Sequence, residues 1–352
     1  MLLKTSPFKI GIVSGVISNK CIPVEEYCKG YATEKKIKRT IRETGFKKIS
    51  IAEDGVSTSD MCFQAADTMI NAYGIDKSSI GALIFVSQTP DYMAPSTAFV
   101  LQKRLGLSHN VIVFDVNIGC PGFVYGVYLG STVLSSLDDD QKVLICCGDV
   151  ASSYFVNPTV FGARAISADA AACALLEKDM VSGGNVLFNI DSYGDRFDTI
   201  YIPNGGMRHP RTTVDGVLDK NNPNNFSVMD GLGVLDFTLN EVPRNIETLL
   251  SELKIPKDDI GLCLFHQPNY QLIKALQERL ELPIDKVVFN SQNIGNVSSA
   301  SIPLLLTEIG DNWSEYANKN ALISGFGMGM AVASVFLNLE STVCMNTMKY
   351  KM

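Results

Sequence analysis

Residues 115–126 read DVNIGCPGFVYG, with the cysteine at position 120. The apolar, β-branched run at 111–116 has the length of a buried strand, and 123–137 has the length and apolar spacing of a helix. The stretch is thus a strand, a tight turn and a helix. Pro121 suits the first helical position, where its missing N–H costs nothing, and this puts Cys120 at the N-cap. Cysteine is a poor cap, so its presence at a well-marked helix start invites a chemical reason. Unpaired N–H groups and the positive helix end favour a thiolate there, which predicts a lowered thiol pKa and a nucleophile. Gly119 and Gly122 let the backbone turn sharply and let a substrate approach closely. Free cysteines are more often small, inert core residues, and the other eight here read that way. The partners of Cys120 must decide its role.

Working outward, strands are expected at 9–16, 80–86 and 142–147. Charged helical sequence is expected from 17 to about 42, and helices at 57–73, which opens Ser-Thr-Ser-Asp, and 95–105. An alanine-rich run follows at 165–176, then a Gly-, Pro- and Asn-rich loop at 204–225 and a helix at 228–253. IDKSSIGALIFVSQTP from Ile75 is echoed by IPKDDIGLCLFHQPN from Ile255, LQKRLGL from Leu101 by LQERLEL from Leu276, and NIGC from Asn117 by NIGN from Asn293. Three echoes in one order at nearly one displacement mark a duplicated half rather than a short-period array. We therefore expect an α/β protein of two related halves, 1–180 with the cysteine and 181–352 with its partners. Cys120 closes NIGC, Asn296 closes NIGN, and His266 follows the duplicated strand at 260–265. Strand ends are where α/β proteins build sites, so Cys120, His266 and Asn296 form one candidate constellation. Taken singly, a histidine at a strand end is more often structural, and Asn296 would serve as a turn residue.

A chain of 352 residues, 46% of them hydrophobic, can bury a large core. Residues 1–9 lack the order of a signal peptide, and no run of 18 apolar residues offers a membrane span. Nine scattered cysteines point to a reducing cytoplasm without a disulfide framework, and no cluster has metal-ligand spacing. A net charge of −7 argues against general nucleic-acid binding. The exception is the basic span at 35–48, whose Lys35, Lys36, Lys38, Arg39 and Arg42 form either a solvated helix face or a seat for an acidic partner.

The motifs TPDYMAPSTA from Thr89, DVNIGCPGFVYG, HQPN from His266, GNVSSASIP from Gly295 and GFGMG from Gly325 resemble, in order, those of thiolase-fold condensing enzymes of the β-ketoacyl-acyl carrier protein synthase III group. The resemblance implies a thiolase-like five-layer α-β-α-β-α fold, normally a homodimer, with no permanently bound cofactor. It further implies acyl-CoA or acyl-carrier-protein thioesters as substrates and acyl carrier protein as the partner. It implies that Cys120 carries an acyl primer, and that His266 and Asn296 stabilise the enolate left when a malonyl thioester loses CO2. By the same resemblance the N–H groups of Cys120 and Met328 would form the oxyanion hole, and Met93 would lie at the floor of the primer pocket. The pattern is departed from in places. Arg39 and Glu43 stand where CoA-primed members have a tryptophan and an arginine, Gln271 stands for an arginine, and Pro268 for an alanine. These departures favour a carrier-bound or unusual primer, with the basic span as its docking surface. Transfer of the acyl group to an alcohol or amine, a Cys-His-Asn hydrolase, and a silent partner subunit are the competing readings.

Overall fold

The computed structural model describes residues 1–157, 159–181, 184–316 and 318–351. Its main strands are β1 (Leu2–Thr5), β2 (Phe8–Ile17), β3 (Ile80–Val86), β4 (Ile112–Val116), β5 (Lys142–Val150), β6 (Asp169–Lys178), β7 (Val186–Ser192), β8 (Leu262–Phe265), β9 (Asn320–Gly327), β10 (Ala331–Asn338), β11 (Val343–Cys344) and β12 (Met348–Lys349). The main helices are α1 (Glu34–Thr44), α2 (Thr58–Ala72), α3 (Thr97–Leu105), α4 (Gly122–Leu134), α5 (Gly231–Leu253), α6 (Tyr270–Arg279) and α7 (Ser301–Ile309).

The duplication is plain in the sheets. One is ordered β11-β2-β6-β5-β3-β4 and the other β1-β7-β10-β9-β8. In the first, β3 is parallel to β5 and to β4, and β6 is antiparallel to its neighbours β5 and β2. In the second, β8 is parallel to β9, and β10 is antiparallel to β9 and β7. Even the place of β4 is echoed, by a parallel bridge from Val287 to Cys263 of β8. The halves exchange ends: β1 pairs with β7 of the second sheet, while β11 and β12 join β2 of the first.

Five layers follow from which faces are apolar. Helices α2 and α3 cover one face of the first sheet, through Met61, Ala65, Met69, Ala98 and Leu101. Helices α4 and α7 fill the space between the sheets with Phe123, Val124, Val127, Ile302, Leu305 and Leu306. Helices α5 and α6 close the far side through Phe237, Ile246, Leu249, Ile273 and Leu276. Each such Val, Leu, Ile, Phe or Met side chain, taken fully out of water, contributes about 1.5–3 kcal/mol, so the middle layer, apolar on both sides, ties the halves together. The strand β6 is alanine-rich because it is covered on both faces at the centre of its sheet, which overrides alanine's helical preference.

Local signals hold with adjusted ends. Ser57 caps α2 in a reciprocal box with Asp60, worth about 1 kcal/mol. Between β2 and α1 the expected continuous helix is instead a short strand, Cys21–Pro23, and one helical turn, Val24–Tyr27; α1 starts only after the Thr33 cap. Helix α5 starts at Gly231, capped by Asp230, rather than at 228. The polar loop at 204–225 is organised by wholly buried Asn225, whose amide donates to the Thr212 and Asp219 carbonyls at 3.0 and 2.9 Å. All nine cysteines are free, but Cys21 and Cys344, expected among the inert core, are half-buried. Among the described residues, no helix is long and apolar enough to cross a membrane.

Candidate active site

The turn after β4 carries Cys120, and α4 begins two residues later. Pro121, at φ −79° and ψ 0°, is the cap, so Cys120 sits one residue ahead of the cap position expected for it. The end of β9 lies directly on this turn. A Cβ placed on Gly327 would fall 2.7 Å from the Cys120 Cβ and 2.9 Å from its Sγ, and one on Gly325 would fall 2.7 Å from the Pro121 Cα. Gly327 also has φ +147°, a region that side chains avoid. That is the physical content of the GFGMG motif. Gly327→Ala should displace the thiol and lower acylation of Cys120 by about a hundredfold while the protein still folds, measured as the acylation rate by intact mass beside a melting curve.

The expected lowering of the thiol pKa is not met. Burial pushes Cys120 up to about 11; the Met328 N–H opposes this, the nearby Asp149 charge adds to the rise, and the Cys120 N–H and Ser298 side chain oppose it. Desolvation outweighs the helix end, so the sulfur rests as a thiol at neutral pH.

His266, at the end of β8, is buried, and its N–H donates to the Ser324 carbonyl at 3.0 Å. Its ring meets Phe326 edge-on at 5.8 Å between centroids, which places it beside the β9 end that covers Cys120. Desolvation holds the imidazole down to about pKa 3, so it is neutral at physiological pH. Its Nδ1 lies 2.8 Å from the Ser301 Oγ; with the serine hydroxyl donating there, the ring proton sits on Nε2, ready to donate.

Asn296 occupies, in the second half, the turn that Cys120 occupies in the first. Its N–H donates to the Ile166 carbonyl at 2.9 Å and its carbonyl accepts from the Ala168 N–H at 2.8 Å, so its backbone is fixed. Its Oδ1 accepts the Ser298 N–H at 3.0 Å, which leaves the amide NH2 as an outward donor. Ser298, held at φ +51°, lies against the cysteine's turn, where a Cβ on Gly119 would fall 3.1 Å from its Oγ, so the cysteine and asparagine turns meet at this residue.

Two further residues at this junction escaped the sequence reading. Asp149, at the end of β5, is wholly buried, and Ser298 stands in the GNVSSASIP motif, where only Asn296 drew attention. A carboxylate closing the apolar run KVLICCGDV was the one available signal. Met93 is a correction. Its side chain is 87% exposed on the loop after β3, so it lines no pocket floor within this chain. On α1, Arg39 is paired with Glu43 at 2.6 Å, Lys38 with Glu34, and Lys36 lies over the Phe161 ring. Lys35, Lys38, Arg39 and Arg42, with Glu34, line a shallow surface groove.

Comparison with known proteins adds to this geometry. Residues 114–194 match the sequence model of 3-oxoacyl-[acyl-carrier-protein] synthase III, and residues 250–339 match that of its C-terminal part. The chain is 32% identical over 322 residues to a Campylobacter jejuni protein provisionally named 3-oxoacyl-[acyl-carrier-protein] synthase 3, covering 90% of this chain and 89% of that one. It is 30% identical over 298 residues to the β-ketoacyl-[acyl-carrier-protein] synthase III of Natranaerobius thermophilus, covering 84% and 88% of the two. The crystal structure of a 3-oxoacyl-(acyl-carrier protein) synthase from Burkholderia xenovorans superposes with a TM-score of 0.90 at 28% identity over 99% of each chain. A duplicated five-layer fold, together with likenesses that run nearly end to end, makes this chain a condensing acyltransferase belonging to the 3-oxoacyl-[acyl-carrier-protein] synthase III family.

Proposed function

We propose that the protein catalyses decarboxylative Claisen condensation of a Cys120-bound acyl primer with a malonyl thioester on acyl carrier protein, giving a β-ketoacyl thioester. The observation that carries this reading is that the end of β9 lies on the Cys120 turn, a Cβ on Gly327 falling 2.9 Å from the Cys120 sulfur, which brings the backbone N–H of the next residue, Met328, beside that of Cys120. An acyl group joined to that sulfur has its carbonyl oxygen within reach of the same two donors, which is what a tetrahedral oxyanion needs. His266 and Asn296 are the donors for the second substrate. Both are neutral and both have their acceptor atoms already engaged, by Ser301 and Ser298, so each offers a proton to the enolate oxygen formed as CO2 leaves.

Carrier docking falls to α1. Its Lys35, Lys38, Arg39 and Arg42 border one groove, and the internal pairs to Glu34 and Glu43 are surface pairs screened by solvent, so an acidic partner exchanges them at little cost. A homodimer accords with β4, an edge strand whose Ile112 is exposed, as is Phe99 on the neighbouring α3. The test is incubation with carrier-bound and CoA-bound primers and malonyl-carrier protein. Equimolar CO2 and β-ketoacyl thioester support condensation. Acyl transfer without CO2 release would replace this reading with transfer to an alcohol or amine.

A further inference from the structure

The last strand lays a lysine on a cysteine that the reaction does not use. Lys349 lies in β12 and pairs with Ile17 at the end of β2, while Cys21 opens the short strand Cys21–Pro23 and pairs with Ser50. The two residues are 328 positions apart, yet the Lys349 Nζ lies 2.9 Å from the Cys21 Sγ. The same ammonium donates to the Ser18 carbonyl at 3.1 Å, and the Cys21 thiol donates to that carbonyl at 3.5 Å. One carbonyl thus gathers both groups, and strand pairing on each side fixes where their backbones stand.

A separation of 2.9 Å is ordinary between nitrogen and oxygen and close for the larger sulfur atom. The pair is also open to small solutes, because Cys21 is half-buried and Lys349 is exposed, whereas Cys28, Cys62, Cys146, Cys147, Cys173 and Cys263 are buried. A partly exposed thiol beside a cation is the setting in which cysteine is oxidised most readily. An oxygen atom placed on the Cys21 sulfur has the lysine nitrogen within reach.

We propose that Cys21 and Lys349 are a modification site, at which a peroxide joins them through a single oxygen into a sulfur–oxygen–nitrogen cross-link. The S–H bond and two N–H bonds of the ammonium break, and one S–O and one O–N bond form. Sulfur and nitrogen each give up two electrons, two molecules of hydrogen peroxide are reduced to three of water, and one proton returns to solvent. Excess thiol reverses the reaction, restoring the free cysteine and lysine. The cross-link fastens β12, a strand of only two residues, to the segment beside the asparagine turn. Ser50, the partner of Cys21, receives the Ser18 N–H on its hydroxyl at 2.9 Å and donates its own N–H to the Ile294 carbonyl at 2.8 Å, two residues before Asn296. The site is independent of the reaction assigned to Cys120.

The test is peptide mapping of the full chain after exposure to hydrogen peroxide, with free thiols blocked by iodoacetamide and trypsin digestion without reductant. The wild type, Cys21→Ser and Lys349→Arg are compared. The wild type should give a species joining residues 21–29 to residues 320–351, heavier than the two peptides together by one oxygen and lighter by two hydrogens. It should be uncut at Lys349, whose nitrogen is no longer a cation, and should disappear after excess dithiothreitol. Both variants should lack it. The oxidised wild type should melt about 5 °C or more above the reduced protein, as expected when a bond closes a long loop, and neither variant should respond. A disulfide to Cys344 would join the same two regions but would lack the oxygen and leave Lys349 open to trypsin. That result, Cys21 recovered as a sulfinic or sulfonic acid with Lys349 still cleavable, or Cys21 left reduced would each overturn the cross-link. The wild-type map decides even where a variant fails to fold.

Discussion

The Cys120→Ala protein will show no mass increment with any acyl-CoA or acyl-carrier-protein donor, whereas the wild type will gain one acyl group. Removing the sulfur deletes the atom that holds the primer and leaves the scaffold standing, because the turn is shaped by Gly119, Pro121, Gly325 and Gly327 rather than by the cysteine side chain. Loss of condensation should exceed about a thousandfold, as expected when a covalent nucleophile is deleted. The variant should nonetheless continue to decarboxylate the malonyl thioester slowly, since His266 and Asn296 reach their positions through Ser324, Ser301, Ile166 and Ala168 and not through the sulfur. Intact mass and CO2 release read the two halves separately. An acyl increment on the alanine variant would remove Cys120 from the mechanism.

The reciprocal result is expected at the other pair. His266→Ala and Asn296→Asp should still acquire the acyl group but should lose decarboxylation by about a hundred- to a thousandfold each, the usual effect of deleting a donor aimed at developing negative charge. Aspartate is the sharper choice at 296. It keeps an oxygen to accept the Ser298 N–H, and so keeps the turn, while exchanging the donor NH2 for a repelling charge. The wild-type decarboxylation rate should also show no inflection from histidine between pH 5 and 8, because burial holds His266 neutral down to about pH 3. The sign for stability follows. The unfolded chain protonates His266 near its ordinary pKa and the folded chain only near 3, so this residue's contribution is full at neutral pH and is lost as pH falls below about 6.5. Condensation and decarboxylation that both survive these substitutions would remove the pair from the site.

Much of this architecture was legible in the letters because it is repeated. NIGC and NIGN announce equivalent turns, and the runs at Ile80 and around Leu262 are apolar enough to be called strands wherever they occur. Helix ends were legible to within a few residues, and where they moved, the cap explains it: Asp230 and Thr33 out-compete the residues upstream of them. What stayed hidden was whatever depends on burial. The pKa of Cys120 is a contest between a helix end and desolvation, and only the packed structure says how much water the sulfur has lost. The Ser299 hydroxyl reaches the Asp149 carboxyl across 150 residues of chain, so no local pattern couples them. Met93 was misplaced because a motif states which loop a residue is on and not which way the loop faces.

The crossing of the chain ends sets a timetable for synthesis. The first sheet borders on β2, and the strands that dress that border, β11 and β12, lie more than 300 residues downstream, with Lys349 reaching back to the Ser18 carbonyl at 3.1 Å. Met345, Met348 and Tyr350 also lie against the cluster beneath α2. An emerging polypeptide thus exposes an unfinished hydrophobic border on its leading half until residues 343–350 leave the ribosome. Vectorial folding can build each half in turn, but the first half is not sealed until β11 and β12 have emerged.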